Sequence, residues 1–248
     1  MRRVLLAGLL GLMIASCAGG SETGNPAVTV SVELQVRSSN SGSVAVGKGA
    51  DRTVIQEAWV AFGAWEFLPA GQCEALETRQ SEPDSGALLA DLAQKGDKTQ
   101  LELDAADYCG VVATLEDTNS ELPAGAPAEL ETHSIVVKGE RADGTPFLLA
   151  YPEGEELILQ SVAESFAIDA ATTGLLFSFD VYMWMKDMDL DNARVSSDGD
   201  IQINGEQNRE LLEAFENNLE CSLELYEDSN GNGSGDSKDL LLASCADL

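Results

Sequence analysis

Histidine is almost missing from this 248-residue chain: it occurs once, at His133. Hydrolytic triads and most zinc enzymes need histidine as base or ligand. With no G-x-S-x-G serine and no H-E-x-x-H pair beside it, the sequence argues against both chemistries. His133 is expected to be an ordinary residue at a strand edge. Basic residues are also scarce, 14 Lys and Arg against 43 Asp and Glu, a formal net charge of −29. Nucleic-acid binding requires clustered Lys and Arg, so no nucleic-acid partner is expected. Anionic lipid head groups are repelled, whereas divalent cations and basic partners are attracted. C-x-x-C is absent, which argues against thioredoxin-like chemistry and zinc knuckles. The longest apolar run falls short of the roughly 20 residues that span a bilayer as a helix. A phosphate-binding loop is nearly spelled by Gly42-Ser-Val-Ala-Val-Gly47-Lys48-Gly49, but Gly49 stands where Ser or Thr should hold magnesium.

What is present begins at the N-terminus. Met1-Arg2-Arg3, the apolar run Val4 to Ile14 and the small residues Ala15-Ser16 before Cys17 form a secretory signal peptide, residues 1–16. Ile14-Ala15-Ser16-Cys17 resembles the bacterial lipobox. That resemblance implies that Cys17 becomes the lipid-bearing N-terminus. Ala18 in place of Asp implies the outer membrane. The expected membrane contact is therefore the lipid, with residues 17–27 as a small polar tether.

Export implies an oxidising compartment. With Cys17 lipidated, Cys73, Cys109, Cys221 and Cys245 remain, an even number that reads as two disulfides. Three pairings are open. Cys73–Cys109 and Cys221–Cys245 are favoured because each pair lies within one region of the chain. Each would stabilise by roughly 3 kcal/mol.

The body reads as mainly β, residues 28–203. Val28, Val30, Val32, Leu34 and Val36 alternate with Thr29, Ser31, Glu33 and Gln35, the pattern of a half-buried strand. Thr53 to Phe67 is apolar on both sides at Trp59-Val60-Ala61-Phe62, which suggests a central strand. Short strands are expected at Thr99–Leu103, Tyr108–Leu115, Ser134–Lys138, Pro146–Tyr151 and Glu156–Val162, with Asp143-Gly144 as a hairpin turn. A further strand is expected from Gly174 to about Trp184, with Leu175, Phe177, Phe179, Val181 and Met183 inward. Many short strands at regular turn spacing predict an antiparallel β-sandwich. Residues 204–248 change character. Leu211, Leu212, Phe215, Leu219 and Leu223 fall on one helical stripe, so a helical C-terminal segment is expected, carrying an acidic Asp/Asn/Gly loop.

That loop is the best candidate for chemistry. Calcium takes six to eight oxygens, and a twelve-residue loop supplies them from positions 1, 3, 5, 7, 9 and 12. Those positions fall on Asp228, Asn230, Asn232, the Ser234 carbonyl, Asp236 and Asp239, with Gly233 at the sharp turn. The spacing resembles EF-hand and dockerin loops. Gly235 replaces their apolar eighth residue, and Asp239 stands in place of the long terminal Glu. A second acidic set, Asp187, Asp189 and Asp191, would share one face if extended, with Asp198 and Asp200 across a turn.

The lipobox, the tether containing Gly24-Asn25-Pro26 and the hairpin-rich strands together resemble a large group of bacterial lipoproteins, some carrying a transthyretin-like or immunoglobulin-like sandwich. The resemblance implies a fold and no catalytic residues. The expected function is non-enzymatic: a lipid-anchored envelope protein serving as a binding or structural module, with calcium as cofactor and a protein or polysaccharide partner of the envelope. The alternative is a carbohydrate-active enzyme using a carboxylate pair. Trp59, Trp65 and Trp184 could stack on sugars, although their apolar surroundings favour the core.

Overall fold

The computed structural model describes residues 25–36, 44–46, 53–72, 88–93, 98–116, 122, 124–152, 154–231 and 239–245. Strands take up just over half of the described residues. In chain order they are β1 Ala27–Val36, β2 Val44–Val46, β3 Thr53–Pro69, β4 Leu88–Asp91, β5 Lys98–Asp104, β6 Ala106–Leu115, β7 Ile135–Glu140, β8 Pro146–Tyr151, β9 Glu156–Ser161 and β10 Phe166–Ile168. Then follow β11 Gly174–Phe179, α1 Val181–Trp184, β12 Ile201–Ile203, α2 Arg209–Leu219, β13 Leu223–Glu227 and β14 Leu240–Cys245.

All fourteen strands belong to one curled, half-barrel sheet. Its main path runs β12-β8-β7-β3-β6-β9-β14-β13-β11-β1-β5, with β10 on β6 and with β2 and β4 on β3. Most pairs are antiparallel, but β1 lies parallel to β11 and β12 parallel to β8. The sheet is therefore mixed, not purely antiparallel as the turn spacing suggested. Turn spacing reports neighbours joined by hairpins. Parallel partners are joined by long crossovers that leave no such mark.

The β3 segment is central, as its two-sided apolar middle predicts: it pairs with β6 and β7 along its length. The Asp143-Gly144 turn joins β7 to β8 in register Glu140↔Pro146, and Gly144 adopts φ +84°, where a side chain would be strained.

The core gathers buried residues from β1, β3, β6, β7, β8, β9, β11 and β13 and from both helices. An aromatic chain runs through it: Phe62 to Trp65 at 4.4 Å between ring centres, Trp65 to Phe177 at 4.1 Å, Phe179 to Trp184 at 5.4 Å, Trp184 to Phe215 at 5.6 Å and Phe215 to Tyr151 at 5.5 Å. Each such pair adds about 0.5–1.5 kcal/mol beyond the area it buries. The chain links β3, β11, α1, α2 and β8. Helix α2 contributes Leu211, Leu212, Phe215 and Leu219, the buried residues of the expected stripe.

Two expectations about the C-terminal half are corrected. The strand from Gly174 ends at Phe179. Asp180 then accepts a hydrogen bond from the Met183 backbone N–H and starts α1, so Val181 belongs to a short helix and Met183 is not in the inward row. The helical stripe ends at Leu219, and Leu223 opens β13. The C-terminal segment is thus not a helical appendage. Its strands β13 and β14 lie in mid-sheet, between β11 and β9.

Candidate cation site

The β13–β14 hairpin is tied at its base by the disulfide Cys221–Cys245, with Cα atoms 5.0 Å apart. This is one of the two favoured pairings. Cys109 is also disulfide-bonded, while Cys73 and Cys17 lie outside the described residues. At the far end, Glu227 pairs with Leu240, and the acidic loop begins. Its flanks are strands, so the helix–loop–helix setting of EF-hand and dockerin loops is absent, and Leu240–Leu242 starts β14 instead of an exit helix.

Of the six sequence-predicted ligands, Asp228, Asn230 and Asp239 are described, whereas Asn232, Ser234 and Asp236 are not. The Asn230 side-chain amide points to Asp239 Oδ1 at 3.5 Å, so the third and twelfth positions meet. The Asp228 backbone N–H donates to the Gly174 carbonyl at 3.0 Å, and a Cβ at Gly174 would come within 3.3 Å of the Asp228 Cβ. The small residue lets the loop start close against β11. Gly231 then turns the chain at φ +68°.

The Asp228 side chain is 4% exposed, and Lys98 Nζ stands 3.8 Å from Asp228 Oδ2. The same Nζ lies 3.3 Å from Glu33 Oε2 and donates to the Gly231 carbonyl at 3.3 Å. Sequence reasoning missed Glu33, assigning it to the polar face of β1. It does lie opposite the core-facing Val32 and Leu34, yet its side chain is only 3% exposed. Glu33 and Lys98 are directly opposed in the β1–β5 register. An acidic residue inside an apolar alternation, with one of the chain's few lysines across the ladder, was the available signal. It becomes readable only once the register is known.

The second acidic set does not converge. Asp187 sits at φ +61°, Asp189 caps a 3-10 turn at Leu190–Asn192, and Asp191 lies within that turn. Asp200 accepts from the Ser196 hydroxyl and the Gln202 amide, which hold its carboxyl below its usual range. Among the described residues, no three His, Cys, Asp or Glu side chains are grouped to hold a metal. Arg141 fastens this region instead. Its guanidinium bonds Asp143 at 2.6 and 3.0 Å and donates to the Leu190 carbonyl at 3.0 Å.

A carboxylate in a different environment lies beside α2. Burial pushes the Glu155 carboxyl up, and Glu216 and Glu220 push it further, while a 3.2 Å hydrogen bond from the Tyr151 hydroxyl acts the other way. His133 meets the Glu129 carbonyl through Nδ1 at 2.9 Å, before β7. Trp65 and Trp184 are buried in the core, and Trp184 Nε1 donates to the Ser222 hydroxyl at 2.6 Å. In the Gly42–Gly49 stretch only Val44–Val46 are described, as β2.

The fold and site define a mainly β protein with an acidic hairpin loop. No protein-family model matches the chain, and no curated protein matches it. Among solved structures it is similar to MbnP from Methylosinus trichosporium, at 12% identity and a TM-score of 0.39, covering 71% of this chain and 82% of that one.

Proposed function

We propose that this chain is a lipid-anchored protein of the bacterial envelope that acts as a binding or structural module and takes calcium at the loop between β13 and β14. The observation that carries the calcium reading is the hairpin itself. A disulfide at its base and a buried Asp228 at its tip fix where the loop starts, and Asn230 meets Asp239 where it ends. Ligands held at both ends of a short loop lose little freedom when the ion arrives. Binding neutralises part of a strongly acidic surface and orders the loop for contact with a protein or polysaccharide of the envelope. The anchor rests on the lipobox and on the oxidised cysteines, which suit an exported chain.

Calorimetric titration of calcium into the full chain in detergent tests the metal reading. Saturable binding at about 10⁻⁴–10⁻³ M is expected, lost when Asp236 and Asp239 are both changed to Ala. Absence of binding at millimolar calcium overturns it. Cys17→Ser should move the protein from the membrane fraction to the soluble one.

One observation favours the second reading, a carbohydrate-active enzyme. Glu155 is a carboxyl with a raised pKa beside two other acids, Glu216 and Glu220, as a general acid requires. Glu155→Gln abolishing hydrolysis of an envelope polysaccharide would establish that reading.

A further inference from the structure

Asn-Gly occurs three times in the chain, at Asn204-Gly205, Asn230-Gly231 and Asn232-Gly233. The pair is chemically labile, because glycine has no Cβ to screen its backbone nitrogen from the asparagine side chain beside it. The third pair lies outside the described residues. The other two are held in opposite ways.

Asn204 follows the edge strand β12 and precedes α2. Its Oδ1 accepts two backbone hydrogen bonds, from the Glu206 and Gln207 N–H groups, both at 2.9 Å. Its own N–H donates to the Gln207 carbonyl at 3.0 Å and closes the turn. A turn of this kind folds the asparagine side chain back over the peptide that follows it. Two donors on one carbonyl oxygen polarise it, and they stabilise the oxyanion that forms when the carbon is attacked. Among the described residues, neither the Gly205 nitrogen nor Asn204 Nδ2 is engaged in a hydrogen bond. Gly205 is exposed and Asn204 half-buried, so water reaches both. At Asn230 the corresponding two nitrogens are occupied. The Gly231 N–H donates to the Asp228 carbonyl at 3.4 Å, and Asn230 Nδ2 points to Asp239 Oδ1 at 3.5 Å.

We propose that the turn at Asn204 is a self-modification site, which drives deamidation of its own asparagine through a succinimide to aspartate and isoaspartate. The Gly205 nitrogen gives its proton to hydroxide and bonds to Asn204 Cγ. The oxyanion is held by the Glu206 and Gln207 N–H groups. The Cγ–Nδ2 bond then breaks, and ammonia leaves with a proton from water, which restores the hydroxide. A second water opens the ring at either carbonyl, and nothing is oxidised or reduced. Aspartate keeps an oxygen acceptor for both N–H groups. Isoaspartate lengthens the main chain by a methylene between β12 and α2. Either product adds a negative charge.

The test is ageing of the full chain at mildly alkaline pH, folded and in urea, followed by peptide mass spectrometry. Trypsin cleaves after Arg194 and Arg209, which puts Asn204 on one peptide. Fragmentation then places the amide-to-acid mass change at a single residue. The proposal expects Asn204 to convert several-fold faster than Asn230 in the folded chain, and the two rates to converge in urea. Equal rates in the folded chain, or a faster Asn230, overturn it. A difference that survives in urea also overturns it, because local sequence would then set the rates. Gly205→Ala is the second arm. Gly205 does not adopt a left-handed φ, and a Cβ there meets nothing within 4 Å. The turn is therefore kept while the nitrogen is screened, and conversion at Asn204 should slow several-fold. Unchanged conversion in that variant overturns the proposal.

Discussion

Arg141 and Lys98 each hold an acidic loop against the sheet, and they do so with opposite burial. At Arg141 the cation is the sheltered partner, 14% exposed, and the carboxylate of Asp143 is 56% exposed. At Lys98 the carboxylates are sheltered and the cation reaches water. The guanidinium spends its fork of donors on Asp143, Thr145 and the Leu190 and Asp191 carbonyls, the planar recognition that arginine does well. The Lys98 ammonium is a point charge within 4 Å of Glu33 Oε2, Asp228 Oδ2 and the Gly231 carbonyl. The difference teaches that one node shelters its cation and the other its carboxylates.

The comparison breaks most sharply at the hairpin that carries Asp228. Replacing Cys221 and Cys245 by Ser should cost about 3 kcal/mol in chemical denaturation. Hydrogen exchange should quicken in β13 and β14 while the β7–β8 hairpin around Arg141 keeps its protection. Next in size, Lys98→Met removes the ammonium beside the buried Glu33 and Asp228 carboxylates. It should destabilise by about 2 kcal/mol in thermal melts, less than a fully buried pair because Lys98 is half-exposed. Arg141→Lys should have a smaller effect in the same thermal melts.

Acid separates the two kinds of site by sign. The hydrogen bonds from Arg141 and Thr145 hold the Asp143 carboxyl far below its usual range. Its contribution is present above the ordinary carboxylate pKa and is lost only as pH falls through the depressed value. The clip should therefore persist through pH 4 by chemical-shift titration. Glu155 runs the other way, because burial raises its pKa. Its ionisation opposes folding, so stability falls as pH rises from the ordinary Glu value through the raised one. Glu155→Gln should flatten that segment of the stability–pH curve, the smallest of these effects.

Much of the strand content was legible. The β1 alternation, the two-sided apolar middle of β3, and the β7–β8 hairpin at Asp143-Gly144 lie where pattern and turn chemistry put them. The errors have a common origin. Val181, Met183 and Leu223 continue an apolar rhythm across a boundary that is set by other groups. At Phe179 the strand ends because the Asp180 side chain caps a new helix. At Leu219 the helix ends and a disulfide-tied strand follows. The β2, β4, β10 and β12 strands are three or four residues long, too short for periodicity to register. The candidate site was half legible. Asp228, Asn230 and Asp239 follow from spacing along the chain, whereas Glu33 and Lys98 come together beside Asp228 only through cross-strand register, which local sequence does not encode.

The position of β13 and β14 has a consequence for how the molecule is made. Strands β13 and β14 are inserted between β9 and β11, strands that leave the ribosome earlier. Until that late hairpin arrives, β9 and β11 each present an open hydrogen-bonding edge, and the sheet is interrupted at its middle. Loop closure over such long separations is slow. The middle of the sheet therefore closes only after β13 and β14, which follow the strands they join, have been synthesised.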